Sequence, residues 1–157
     1  MVKKYLFIFL VSMVPLIELR GAIPFSQGFG LPLLTSYIVC IIGNMLPVPI
    51  IFLFARKVLE WGCDKPVVGK FFTFCIEKGH KGGAKLQEKA GRGLYIALLL
   101  FVGIPLPGTG AWTGTLAASF LDMDFKKSVV AVLGGVLLAG LIMGAVSAGV
   151  FGAIRGF

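Results

Sequence analysis

Thirteen residues, Val102 to Gly114, constrain this chain more than any others. They hold two prolines and four glycines, and they interrupt an apolar run. Residues 94–101 before the break and 115–121 after it are strongly apolar. No helix passes through unbroken. Pro105 and Pro107 lack amide donors and push their predecessors out of the helical region. Gly108 and Gly110 permit turn shapes that other residues resist. Water is the wrong surrounding for such flanks, and broken backbone at membrane depth survives only where protein buries it or a wet cavity receives it. The stretch therefore reads as the tip of a re-entrant loop that meets a cavity.

Composition supports a membrane setting. Of 157 residues, 57% are hydrophobic, more than a soluble domain of this length can bury. The net charge of +8 raises nucleic acid as a partner until the charges are located. Nine of the fifteen Lys and Arg fall between Arg56 and Arg92. That is one loop on one membrane side, cytoplasmic by the positive-inside rule, so nucleic acid is not expected. Cys40 lies in an apolar stretch, and Cys63 and Cys75 in the basic loop; an odd number facing a reducing compartment implies free thiols. The N-terminus, with Lys3, Lys4 and an apolar run, has the look of a signal peptide. No small-x-small cleavage site follows, so it is kept in the mature protein.

Taken in order, the chain repeats itself. Residues 5–17 are apolar and end in a second break, 15–24, which contains Pro15, Glu18, Arg20 and Pro24. Residues 31–55 would reach about 37 Å as a helix, enough to span the bilayer core. Asn44, Pro47 and Pro49 predict a kink within that span. The basic loop covers 56–93. Then come short apolar arms at 94–101 and 115–121 around the central break, a turn at 122–127, and a second span at 128–150. Each half reads as short arm, break, short arm, full span. Gly43-Asn44 and Gly134-Gly135 begin 28 and 29 residues after Pro15 and Pro105. Eight to thirteen helical residues cover only about 12–20 Å, so no arm crosses alone. If each break is a hairpin tip, each half crosses once and the second half is inverted. Inverted repeats with broken helices at the midplane mark secondary transporters. Kinks in plain spans are the alternative, and either arrangement leaves most basic residues inside.

Glu18 and Arg20 are the ionisable residues set deepest in apolar sequence. Each would cost roughly 2.5–3.5 kcal/mol at the centre of a continuous helix. Two apart on a helix they cannot pair, but at a loop tip both could face one cavity; a structural ion pair is the alternative. In the central break, Thr109 and Thr113 are candidate N-caps of the half-helix that follows, whose free amides attract anions. The string lacks the Gly-Lys-Ser/Thr ending of a nucleotide-binding loop. Trp112 would be a cavity wall or an interface anchor. Lys78, Lys81, Lys85, Lys89 and Arg92 recur at helical spacing behind Val67, Val68, Phe71, Phe72 and Phe74, which fits a basic segment lying on anionic lipid or ordinary positive-inside charge. Gly140, Gly144, Ala148 and Gly152 form a four-spaced stripe for close helix packing, within the chain or in a homodimer. Cys63, Cys75 and His80 do not match a zinc spacing. No nucleophile pair or acidic cluster suggests catalysis, so an enzyme, a cofactor and a metal are not expected.

Glu18-x-Arg20-Gly21-x-x-Pro24, Gly43-Asn44-x-x-Pro47 and the run from Pro105 to Gly114 resemble the small multi-drug export protein family, a short relative of the DedA/VTT membrane proteins. The resemblance covers nearly the whole chain. It implies two facing re-entrant hairpins in inverted repeat. For the wider superfamily it implies movement of lipids, including carrier-lipid phosphates, and links to proton gradients. The expected architecture is thus an all-α integral membrane domain over residues 1–157: first repeat 1–55, basic cytoplasmic segment 56–93, second repeat 94–157. The expected site comprises Glu18, Arg20, Gly21, Pro24 and Asn44 from the first half. From the second half come Pro105, Pro107, Gly108, Thr109, Gly110, Trp112, Thr113 and Gly114. The leading reading is a multi-pass plasma-membrane transporter or lipid flippase. In it Arg20 and the Thr109–Gly114 amides hold a lipid phosphate, and Glu18 exchanges protons. The alternatives are an exporter of cationic small molecules, with Glu18 as the binding charge, and a non-transporting membrane scaffold.

Overall fold

The computed structural model describes residues 1–67, 69–70, 73–74, 77 and 91–155. Among them the regular elements are all helices: α1 (Val2–Met13), α2 (Glu18–Gly28), α3 (Leu33–Met45), α4 (Pro47–Cys63), α5 (Gly93–Gly103), α6 (Ala111–Phe120) and α7 (Phe125–Arg155). Prolines set the boundaries. α1 ends at Val14 and α5 at Ile104, both extended and both directly before a proline, as the steric rule for pre-proline residues requires. α3 and α4 meet at Leu46, which is itself helical. Pro47 and Pro49 remove the amides that would bond Gly43 and Met45, so the expected break in this span is present without a change of course into a loop.

Both pairs of short arms fold back on themselves. Lys4 Nζ, near the start of α1, donates to Phe29 O beyond the end of α2 at 3.1 Å, and the Phe7 ring meets Phe25 and Phe29 edge-on. Tyr95, near the start of α5, accepts through its hydroxyl from Asp124 N beyond α6 at 3.3 Å. The first hairpin therefore opens at residues 4 and 29, and the second at 95 and 124. The long helices run past them in opposite directions. Tyr37 donates to Leu137 O at 2.9 Å, Phe52 stacks edge-on with Phe125, and Arg56 pairs with Asp122. As one number rises the other falls. Leu33–Cys63 and Phe125–Ala153 are the two stretches long and apolar enough to cross a membrane.

The contacts are reciprocal. α1 packs on α3 and α5 on α7 within each half, while α2 packs on α7 and α6 on α4 between halves. A Cβ on Gly43 would lie 2.7 Å from Phe9 O, and one on Gly135 would lie 2.6 Å from Leu99 O. Each long helix thus carries a glycine where the backbone of its own first arm comes closest.

Polar residues are buried within an apolar core, while much of the exterior is apolar as well. Ser12, Glu18, Ser26, Ser36, Asn44, Thr115, Ser119, Ser128 and Ser147 are buried. Ile38, Ile42, Leu46, Ile50 and Phe54 form a four-spaced row, each about half exposed. An exposed apolar face of this extent marks contact with lipid rather than water.

Three expectations change. The span placed at residues 31–55 continues as helix to Cys63, so Arg56 and Lys57 are helical rather than part of a loop. Glu18, Arg20, Gly21 and Pro24 stand in the first turns of α2, not in a loop. The four-spaced stripe on α7 splits. Gly140 and Gly144 are buried against Tyr37, Leu19 and Leu33, whereas Ala148 is exposed and nothing lies near Gly152. With 3.6 residues per turn, steps of four drift about 40° each, so the stripe winds off the contact face. Val68, Phe71, Phe72, Cys75, Lys78, His80, Lys81, Lys85 and Lys89 lie outside the described residues.

Candidate functional site

The two hairpin tips meet, and each satisfies the broken backbone of the other. α6 begins at Ala111 with its first amides unpaired by its own helix, as at any helix start. Glu18 fills that gap from the opposite hairpin. Its two carboxylate oxygens accept from Ala111 N at 3.1 Å and Trp112 N at 3.0 Å. The carboxylate is 3% exposed, so these bonds are made away from solvent. An anion at a helix N-terminus also gains from the helix dipole.

Arg20 performs the complementary task at the other end of the break. Its guanidinium donates to Val102 O at 2.9 Å and Ile104 O at 3.2 Å through one terminal nitrogen. Through the other it donates to Leu106 O at 2.8 Å and Thr109 O at 2.9 Å. These carbonyls lie at and beyond the end of α5, where helical amides no longer reach them; Leu106 N also donates to Ile104 O at 2.8 Å and Thr109 N to Leu106 O at 3.2 Å. The reverse tie runs from Trp112, whose indole donates to Met13 O at the end of α1, at 3.0 Å. Trp112 is thus a strut between the tips, a third role beside the two expected.

Glu18 and Arg20 do not pair, yet both reach the same opposing tip. Glu18 has φ 51° and Leu16 φ 71°, the left-handed region that non-glycine residues rarely occupy. The distortion turns Glu18 off the helical course that Arg20 follows. Gly110 makes room opposite. Its φ of 147° suits glycine, and a Cβ there would run into the Glu18 carboxylate.

The two threonines do not cap α6. Thr109 Oγ1 donates to Ile104 O and Leu106 O, at 3.0 and 2.9 Å, and Thr113 Oγ1 to Gly110 O at 3.4 Å. The Ile104 and Leu106 carbonyls in the turn before α6 claim the Thr109 hydroxyl, and Glu18 takes the capping position. Pro107 and Gly108 are exposed at the tip, and Pro105 is partly so. Gly114 lets α6 lie against Val102, whose Cγ2 would be 2.5 Å from a Cβ there. Gly21 and Pro24, with Phe25, Gly28, Phe29 and Phe151, line a largely apolar cavity of about 590 Å³ on the flank of the first hairpin. Asn44 is fully buried, and its amide oxygen and nitrogen have no hydrogen-bond partner among the described residues. The same holds for the Thr115 hydroxyl and Arg20 Nε.

Sequence reasoning named the 109–114 amides as an anion site but missed that Glu18 itself occupies two of them, and it missed the carbonyl partners Met13 O and Val102 O, because main-chain groups carry no residue-type signal. It also missed Thr115. Its spacing of four from Ser119, which donates to Phe52 O on α4 at 2.9 Å, was the available clue to a polar seam on α6.

Two long apolar helices, two short hairpins meeting tip to tip and an apolar exterior define an all-helical membrane protein. The family model described as Putative small multi-drug export protein matches residues 18–142, and the chain belongs to that family. The match starts at Glu18, the first residue of α2, and takes in the second tip, α3, α4 and the first part of the last long helix. The family's description is of an exporter, a kind of membrane transporter. No curated protein matches the chain, and no solved structure does.

Proposed function

We propose that this protein is a multi-pass plasma-membrane transporter built as two inverted repeats, each a re-entrant hairpin and a long span. The meeting tips are its gate, and its substrate carries an oxyanion, such as a lipid or carrier-lipid phosphate. One observation carries the reading: a carboxylate rests on the Ala111 and Trp112 amides with a guanidinium two residues away. The carboxylate belongs to the protein and fills the place where a substrate oxyanion would bind. The contacts described above support the inverted arrangement: opposed hairpins, antiparallel long helices and the matched Gly43 and Gly135 approaches.

In this reading the tips separate when Glu18 leaves the amides. A proton on Glu18 removes its charge and one acceptor, which links opening to pH. A phosphate then takes the amides at the α6 N-terminus, a position that favours anions. Arg20 exchanges neutral carbonyls for a charge-assisted, two-point bond to phosphate. The buried, unpartnered Asn44 amide supplies further polar groups inside the fold. No covalent step is involved. The resemblance to the DedA/VTT proteins favours a substrate among lipids.

Two other readings have support. The family description favours a cationic drug, with Glu18 as its binding charge. The burial of Glu18 favours a scaffold whose tips never part. Liposome transport of a lipid phosphate and of a cationic dye by Glu18→Gln, Arg20→Lys and Arg20→Ala separates them. Our reading expects Arg20→Lys to weaken and Arg20→Ala to abolish phosphate transport, while Glu18→Gln loses pH dependence but still binds phosphate. Loss of dye transport in Glu18→Gln with Arg20→Ala active would establish the cationic reading. Folded wild-type protein that moved neither ligand would leave the scaffold.

A further inference from the structure

A second feature lies far from the tips, at the end of the molecule where the second hairpin opens. A groove of about 790 Å³ runs between α5 and the start of α7. Three cations, Arg92, Lys126 and Lys127, stand at its end, and all three are exposed. Its walls are apolar: Ile96 and Val130 are 61% and 68% exposed, and Leu99 and Ala131 lie deeper. No carboxylate is among its lining residues. Among the described residues, the acids beside it in sequence are engaged: Asp124 Oδ1 accepts from Lys127 N at 2.9 Å, and Asp122 pairs with Arg56. Lys127 Nζ sits 5.8 Å from the centre of the Tyr95 ring, a lining residue of the groove.

Charge and apolar surface are thus arranged along one axis. From Arg92 to Leu99 the groove covers seven helical residues, about 10 Å. Its cations lie at the same end as Arg56, the basic end of the molecule, and its walls run toward the membrane interior. We propose that this groove holds one anionic phospholipid of the surrounding cytoplasmic leaflet. The headgroup phosphate lies among Arg92, Lys126 and Lys127, and an acyl chain lies along Ile96, Leu99 and Val130. The volume is within the range of about 300–1,000 Å³ typical of ligand sites, and basic clefts between transmembrane helices on the cytoplasmic side suit anionic headgroups. The lipid would bridge the second hairpin to α7. The proposal is independent of what the tips transport, because the groove shares no residue with them.

The test uses the full chain in detergent, with phosphatidylglycerol and phosphatidylcholine titrated separately and retained lipid counted by native mass spectrometry. Wild type is expected to retain one phosphatidylglycerol and to release phosphatidylcholine. Each basic residue near an anionic surface contributes about fivefold in affinity, so Arg92→Gln/Lys126→Gln/Lys127→Gln should weaken retention roughly hundredfold. Val130→Trp, which fills the groove and keeps every charge, should also lose the lipid. The charge-matched control Lys3→Gln/Lys57→Gln/Lys65→Gln, at exposed residues outside the groove, should retain it. Size-exclusion profile and helicity identify variants that fold. Equal retention of both lipids by wild type overturns the proposal. So does unchanged retention in folded groove variants, or loss confined to the control.

Discussion

Glu18→Gln is the most informative single change, because it keeps the shape of the side chain and alters only what its oxygens can do. In the native protein two amides share two acceptor oxygens, at 3.1 and 3.0 Å. Glutamine replaces one oxygen by an amide nitrogen, so a donor faces a donor. One of the Ala111 and Trp112 amides is left without a partner, at about 1–3 kcal/mol for a buried group. The favourable charge at the α6 N-terminus is lost as well, about 0.3–1 kcal/mol and more where buried. Together these weaken the contact between the tips by roughly 2–4 kcal/mol, or about 30- to 700-fold in the population of separated tips. Amide hydrogen exchange reads that population directly when exchange passes through local opening. With the protein in nanodiscs, a peptide covering 110–114 should exchange faster by about that factor, and a peptide from the middle of α7 should not change. A folded Glu18→Gln protein whose 110–114 exchange stayed within about threefold of wild type would refute the idea that this carboxylate closes the tips.

Three further outcomes follow from the same contacts. Gly110→Ala should destabilise by about 1–3 kcal/mol through its φ of 147° and its collision with Glu18; part of the loss should vanish in a Glu18→Ala background, which a double-mutant cycle of melting temperatures measures. Gly140→Leu should cost more folded yield than Gly144→Leu in size-exclusion assays. A Cβ at 140 meets the Tyr37 ring and has Leu19 Cδ1 at 3.1 Å, whereas at 144 the nearest atoms are 3.8 Å away; equal yields would remove the assigned contact. Single cysteines at Lys65 and Lys126, in a background without native thiols, should be labelled by an impermeant reagent from one membrane side, because Arg56 and Asp122 pair at that end.

Much of the outline could be read from residue order because prolines act locally. Pro15 and Pro105 end α1 and α5 one residue before themselves, and the kink at Pro47 and Pro49 follows from two missing amides. Helix ends set by composition were harder to place. Arg56 and Lys57 are charged, but charge does not stop a helix, and α4 continues to Cys63. At the site, the need of Glu18 and Arg20 for polar partners was legible from their cost in apolar surroundings. Their partners were not, since those are main-chain groups 82 to 94 residues away. Thr109 looked like a cap because hydroxyls commonly cap helices. What decided its role was the nearness of the Ile104 and Leu106 carbonyls in the turn between α5 and α6, which no helix rule contains.

That distance has a consequence for how the chain enters the membrane. Glu18 and Arg20 leave the ribosome long before the groups that receive them; Arg20 precedes Val102 by 82 residues. At 5–20 residues per second the interval is roughly 4–16 s. During it, each charge would cost roughly 2.5–3.5 kcal/mol in the hydrocarbon. The first hairpin is therefore expected to wait at the membrane surface and to sink to its final depth only when the second arrives. Insertion would be completed after synthesis of the second half rather than segment by segment. A cysteine at Ala22, which is fully buried in the finished fold, reports on this in a background without the native thiols. It should react with an impermeant reagent in nascent chains stopped after Cys63 and be protected in the full-length protein. Protection in both would mean that the first hairpin finds its depth unaided.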